Sequence, residues 1–144
     1  MSVFSDVEVF MKAANHTPDL KRVGLYLDLV REEVGELEEA MAAHHAAENK
    51  QDEQIAKADA LDAICDSIWV LIGLGKVMDL PLEWGWDEVT ITNLKKIDAE
   101  LGTVMRDENG KIQKPAGWRP PDMLRIIQQF EASQLKLGKP EIQE

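Results

Sequence analysis

Between Asp28 and Asp66 the chain carries twelve carboxylates against three bases, Arg31, Lys50 and Lys57, so nine of its eleven net negative charges lie in that stretch. The acids do not form a polar tract. They are threaded through Val23, Leu27, Val30, Val34, Leu37 and Met41, and then through Ile55, Leu61, Ile64, Ile68, Leu71 and Ile72. Those apolar residues recur mostly three or four apart, the period of an amphipathic helix. Like charges at i,i+4 repel by a few tenths of a kcal/mol per pair. A one-signed cluster on folded helices therefore points to a site that awaits cations.

The other segments also read as helices. Val3 to Ala14 is a short amphipathic helix with Ser2 or Ser5 as N-cap. Pro18 breaks it, because the residue before proline avoids the helical region. The long acidic helices are expected at about 20–48 and 53–78, joined by a turn at 49–52. The second half of the later helix is expected deep in the core. Pro81 opens a fourth helix, expected to run to Leu101. Residues 102–121 form a long loop, of a length often found in lids and binding loops. A last helix runs from Pro121–Asp122 to about Leu137, and the tail 138–144 is expected to fray. No stretch alternates with period two and no repeat is evident. The fold class is all-α, a bundle of four to five helices in one domain spanning 1–137, since 144 residues suit about one domain.

Charge and composition exclude several classes. A net charge of −11 argues against a general nucleic-acid binder, which needs a basic face. The longest apolar run, 68–74, is far short of the roughly 20 residues that span a bilayer. MSVFSDVEVF does not read as a signal peptide. The single cysteine, Cys65, excludes an internal disulfide framework, fits a reducing cytoplasm and is expected in the core. Without CxxC or HExxH, a zinc site is not expected.

The carboxylates themselves point to a harder ion. On one helix Glu33 and Glu36 lie about 60° apart in projection, and Glu32 and Glu36 about 40°. On the next, Asp62 and Asp66 are one turn apart, with apolar neighbours on both sides. If the helices pair antiparallel, the two acidic faces meet near their middles. Four or five facing carboxylates cannot all stay ionised without cations, and a bare aspartate among apolar residues is costly. All-oxygen donors suit Mg²⁺ or Mn²⁺. Any one of these acids could instead be solvated; it is the joint pattern that argues for a site.

The sequence EEVGEL (32–37) followed by DAICDSIWVLIG (62–73) resembles the all-α nucleoside triphosphate pyrophosphohydrolases, the MazG-like and phosphoribosyl-ATP pyrophosphohydrolase-like superfamily. Glu33 and Glu36 match its ExxE motif directly. Asp66 matches the Asp of ExxD, but Ala63 stands where that motif has Glu, and Asp62 would take its place. A phage-type branch, with DALAD on the second helix, is the nearer likeness. It continues with segments similar to Thr92–Lys96 and to Gly110–Pro115, with Trp118 and Pro120–Asp122 beyond. The likeness covers roughly residues 3–125.

The resemblance implies hydrolysis between the α and β phosphates of a (d)NTP, giving monophosphate and pyrophosphate, with a purine deoxynucleotide such as dGTP as the candidate. It implies two to three Mg²⁺ or Mn²⁺ ions per site. The ligands would be Glu33, Glu36, Asp62 and Asp66. Glu32 and Glu33 are the catalytic candidates, Glu32 as the group that orients or deprotonates water; which Glu does which job stays open. Asn93, Lys96, Lys111 and Lys114 would receive phosphates. His16 and Trp69 would contact the base, although Trp69 can equally be a core residue. Trp84, Trp86 and Trp118 read as packing or interface residues, Arg31 as an ion-pair partner and His44–His45 as surface. The family likeness also implies a homodimer or homotetramer in the cytoplasm, the host's if the chain is phage-encoded. The rival readings are an all-α nucleotide hydrolase that releases phosphate and a non-catalytic helical adaptor with an acidic face. A di-iron bundle is disfavoured because no His follows a Glu by three.

Overall fold

The computed structural model describes residues 2–16, 18–138 and 142. Of the expected tail, all but Gly138 and Ile142 lie outside the described residues. Five helices and no strand occur among them, so the class is all-α. The chain divides into two compact units at Leu80/Pro81, with Ile142 grouping with the first.

In the first unit, α1 (Val3–Ala13) begins with a reciprocal cap: Ser5 N–H donates to Ser2 Oγ at 3.3 Å and Ser2 N–H donates to Ser5 Oγ at 2.9 Å. A 3-10 turn, Leu20–Arg22, leads into α2 (Val23–Ala46). α3 (Lys50–Val77) starts earlier than the expected turn allows. Asn49 Oδ1 accepts the Asp52 N–H at 2.9 Å and so caps the helix before residues 50–52 can form a loop.

The α2–α3 hairpin has a seven-residue period. Tyr26 and Ala40 are buried on α2, with Glu33 midway between them; Ala56, Ala63, Val70 and Val77 are buried on α3. Small residues every seven let the helices approach closely along one seam. The seam is tight at Gly73. A Cβ built there would lie 2.3 Å from Tyr26 Cε1, so the phenol ring fills the space that glycine leaves. α1 is tied to α3 by Glu8, whose carboxylate accepts from Lys76 Nζ at 3.2 Å, and by Phe10, set edge-on to Trp69 with centroids 5.6 Å apart.

Two expectations for α3 need correction. Cys65 is exposed, because it lies on the face turned away from the 56–63–70–77 row. The second half of α3 is only partly buried: Val70, Ile72 and Val77 are, whereas Ile68 and Leu71 are about half exposed.

In the second unit, α4 spans Leu82–Leu94, seven residues short of its expected end. Asp98 explains the early stop: its Oδ1 accepts the N–H groups of Glu100 and Leu101 at 2.9 and 2.8 Å, and Gly102 follows with φ of 66°. Such local capture of backbone donors competes with helix. The loop that follows carries only two isolated bridges, Ile97 with Val104 and Arg106 with Ile112. α5 (Met123–Lys136) is joined to α4 by Glu88. Its carboxylate accepts from the Asp122 N–H at 3.0 Å and from Arg125 Nη2 at 2.8 Å, and these partners hold it below the usual carboxylate range. Trp84 meets Phe130 edge-on at 5.7 Å. Among the described residues no helix is long and apolar enough to cross a membrane.

Candidate active site

The register of the hairpin follows from two observations. Tyr26 faces Gly73, and Met41 and His44 share a groove with Lys57, Ala60, Leu61 and Ile64. Helices paired this way run antiparallel and bring Glu33 level with Asp66, and Glu36 level with the turn that holds Asp62. The electrostatics agree. Partial burial comes first in raising the Glu33 carboxyl above its ordinary pKa, followed by the negative charges of Glu36, Asp66, Glu32 and Asp62. The other four acids singled out in the sequence therefore act on Glu33, Asp62 and Asp66 from across the seam. Glu33 is half-buried; Glu32, Glu36, Asp62 and Asp66 are exposed.

Beside Asp66, the hydroxyl oxygen of Ser67 is buried and has no hydrogen-bond partner among the described residues. A donor set of carboxylates, with no sulfur or imidazole, has the chemistry that suits a hard divalent cation. As the side chains stand, no three His, Cys, Asp or Glu among the described residues converge on one point.

The candidate base contacts lie on the same unit. Trp69 is one turn beyond Asp66, 39% exposed, and backed by the edge of Phe10. His16 Nδ1 lies 2.9 Å from the Tyr26 hydroxyl, which donates its proton to Met11 Sδ at 2.8 Å. The contact holds the His16 ring against Tyr26. Tyr26 and Phe10 were not among the residues singled out from the sequence. The spacing Tyr26–Glu33–Ala40 was the available signal for the first. Arg31 pairs with Asp28 at 2.8 Å.

The candidate phosphate contacts belong to the second unit. Lys96 Nζ donates to Asn93 Oδ1 at 2.7 Å and stands 5.1 Å from the centroid of the Trp118 ring. Lys114 Nζ stands 4.7 Å from the same ring. Lys111 is exposed in the turn closed by Asp107, whose carboxylate accepts the Lys111 N–H at 2.9 Å. Trp118 Nε1–H donates to the Thr92 carbonyl at 2.7 Å, in the last turn of α4, where carbonyls lack helical partners.

An all-helical chain whose acids gather on the seam of a helix hairpin has the make-up of the MazG-like all-α nucleoside triphosphate pyrophosphohydrolase superfamily. Within that superfamily the model of the phosphoribosyl-ATP pyrophosphohydrolase family matches residues 7–93, and the chain belongs to this family. Membership makes it a pyrophosphohydrolase acting on nucleotide pyrophosphate bonds. The match runs from α1 into the last turn of α4 and includes all five acids. No curated protein matches the sequence.

Proposed function

We propose that the chain cleaves the α–β anhydride of a nucleoside triphosphate, releasing monophosphate and pyrophosphate, with Glu33, Glu36, Asp62 and Asp66 holding Mg²⁺ or Mn²⁺. The observation that carries this reading is the condition of Glu33, pushed above its ordinary pKa by burial and by four neighbouring carboxylates. A triphosphate carries about four negative charges and would be repelled by that cluster alone. When bound there, two to three divalent ions would offset the cluster's charge, draw in the phosphates and lower the pKa of water. Glu32, exposed beside Glu33, would take the proton of the attacking water as its oxygen bonds the α-phosphorus and the bridging oxygen leaves with pyrophosphate. Asn93, Lys96, Lys111 and Lys114 would receive the phosphate oxygens. Trp69 would stack on the base, and His16 would contact its edge.

The activity for which the family is named favours a second substrate, phosphoribosyl-ATP, whose cleavage breaks the same kind of anhydride. A panel of NTPs, dNTPs and phosphoribosyl-ATP with Mg²⁺ or Mn²⁺, resolved by anion exchange, tests both. Pyrophosphate with a purine dNMP is the expected product pair. Orthophosphate would favour a phosphate-releasing hydrolase, and an untouched panel would favour an adaptor.

We also infer a homodimer or homotetramer. Val34, Met41, Leu61, Ile64, Ile68 and Leu71, from the two long helices, are all more than two-fifths exposed, a larger apolar surface than a lone chain usually leaves to water. Light scattering on the active protein should give a dimer or larger; an active monomer would reject this.

A further inference from the structure

Trp118 holds more than its own weight of charge. Two ammonium groups, Lys96 at 5.1 Å and Lys114 at 4.7 Å from the ring centroid, gather on one indole. They come from segments eighteen residues apart, and among the described residues neither lysine has a carboxylate partner. In a chain with 27 acids and 16 bases, two free cations converging on one ring run against the overall balance. The same ring borders a groove of about 400 Å³ lined by Lys95 and Arg119 and by the acids Glu88 and Asp122; Lys96 and Lys114 stand outside that lining. Arg125, on that groove too, is committed to Glu88.

The ring is fixed as well as occupied. Its Nε1–H reaches the Thr92 carbonyl at 2.7 Å, and Thr92 is buried, with its hydroxyl donating to the Glu88 and Val89 carbonyls at 3.0 Å each. The π-face attracts each ammonium group, while the two groups repel one another. A bound anion would remove that repulsion, and the arrangement suits adjacent phosphates better than a single charge.

We propose that Trp118 is a positioning residue that presents Lys96 and Lys114 together to a polyphosphate. The inference deepens the nucleotide pyrophosphohydrolase reading and rests on it for the identity of the natural ligand. Trp118 touches no reacting atom; it acts through the two lysines.

Calorimetric titration of the full chain with inorganic tripolyphosphate, without metal, tests the proposal independently of turnover. Trp118→Leu should weaken binding about tenfold, from two lost ring contacts worth a few-fold each. Trp118→Phe, which keeps a π-face, should stay within about threefold. Lys114→Met should cost about tenfold in the native background and less than about threefold in Trp118→Leu, because coupled residues are not additive. In turnover, Trp118→Leu should raise KM and leave kcat within about twofold. Independent, multiplying losses, or a Trp118→Leu chain that binds as the native one does, would overturn the proposal. If Trp118→Leu does not fold, Lys114→Met in the Trp118→Phe background decides: tight binding there overturns it and a tenfold loss supports it. A chain that binds tripolyphosphate as described yet hydrolyses no nucleotide would sink the function reading and leave the clamp standing. Hydrolysis with an unchanged KM in Trp118→Leu would sink the clamp alone.

Discussion

Glu33→Gln should lower kcat for the nucleotide substrate by about a thousandfold or more, equivalent to at least about 4 kcal/mol of transition-state stabilisation. The substitution keeps shape and removes one charge from the middle of the seam. It removes the acid on which the other four act, so any ion held by the cluster loses its central ligand. Stability should move the other way. A carboxyl whose folded pKa is raised binds its proton more tightly folded than unfolded, so its stabilising contribution is present below the ordinary pKa and is lost as pH rises through the raised one. At neutral pH in a chelating buffer, Glu33 is therefore a source of repulsion, and Glu33→Gln should melt at or slightly above the native temperature. Loss of turnover with preserved or increased Tm separates a role in chemistry from a role in folding. Retained turnover would place the chemistry elsewhere than at Glu33.

Gly73→Ala should destabilise the first unit by about 2–4 kcal/mol. The added methyl would sit 2.3 Å from Tyr26 Cε1 and 2.9 Å from Cδ1, too close for either atom to remain. Tyr26 is only 5% exposed, and its hydroxyl is held by His16 and Met11, so the ring cannot swing away without breaking both contacts. Overpacking costs roughly 1–3 kcal/mol and an orphaned buried hydroxyl about 1–3 more. The better helix propensity of alanine returns about 1. Thermal melts should show Tm lower by about 10 °C. Gly24→Ala, with nothing within 4 Å, should leave Tm unchanged or slightly raised. Equal melting of the two variants would mean that Tyr26 does not occupy the space beside Gly73.

The helices of the first unit were legible because apolar period, caps and prolines agree there on one answer. The acids of the candidate site stood out as a one-signed cluster threaded through apolar residues and as the ExxE likeness, whereas the row that Glu33 shares with Tyr26 and Ala40 is visible only in the paired hairpin. Local patterning misled at the end of α4. Ile97 and Leu101 keep the helical spacing, but Asp98 captures the donors between them. Cys65 misled because a small apolar residue between Ile64 and Asp66 suggests a core, whereas the seam uses Ala63 and turns Cys65 outward. Trp118 was legible only as a packing or interface residue. Its contacts with Lys96 and Thr92 depend on a loop closing over more than twenty residues, and no periodicity reports on such a closure.

The most direct test of the central claim, that acids from α2 and α3 act together as a cation site, is a titration with Mn²⁺ followed by electron paramagnetic resonance. The native chain should bind Mn²⁺ at more than one site. Glu33→Gln and Asp66→Asn should each weaken that binding by about tenfold or more, because each removes a charged ligand from a shared ion. Glu48→Gln, which removes an exposed acid just beyond the far end of α2, should bind as the native chain does. Indistinguishable binding curves for all four proteins would contradict the claim.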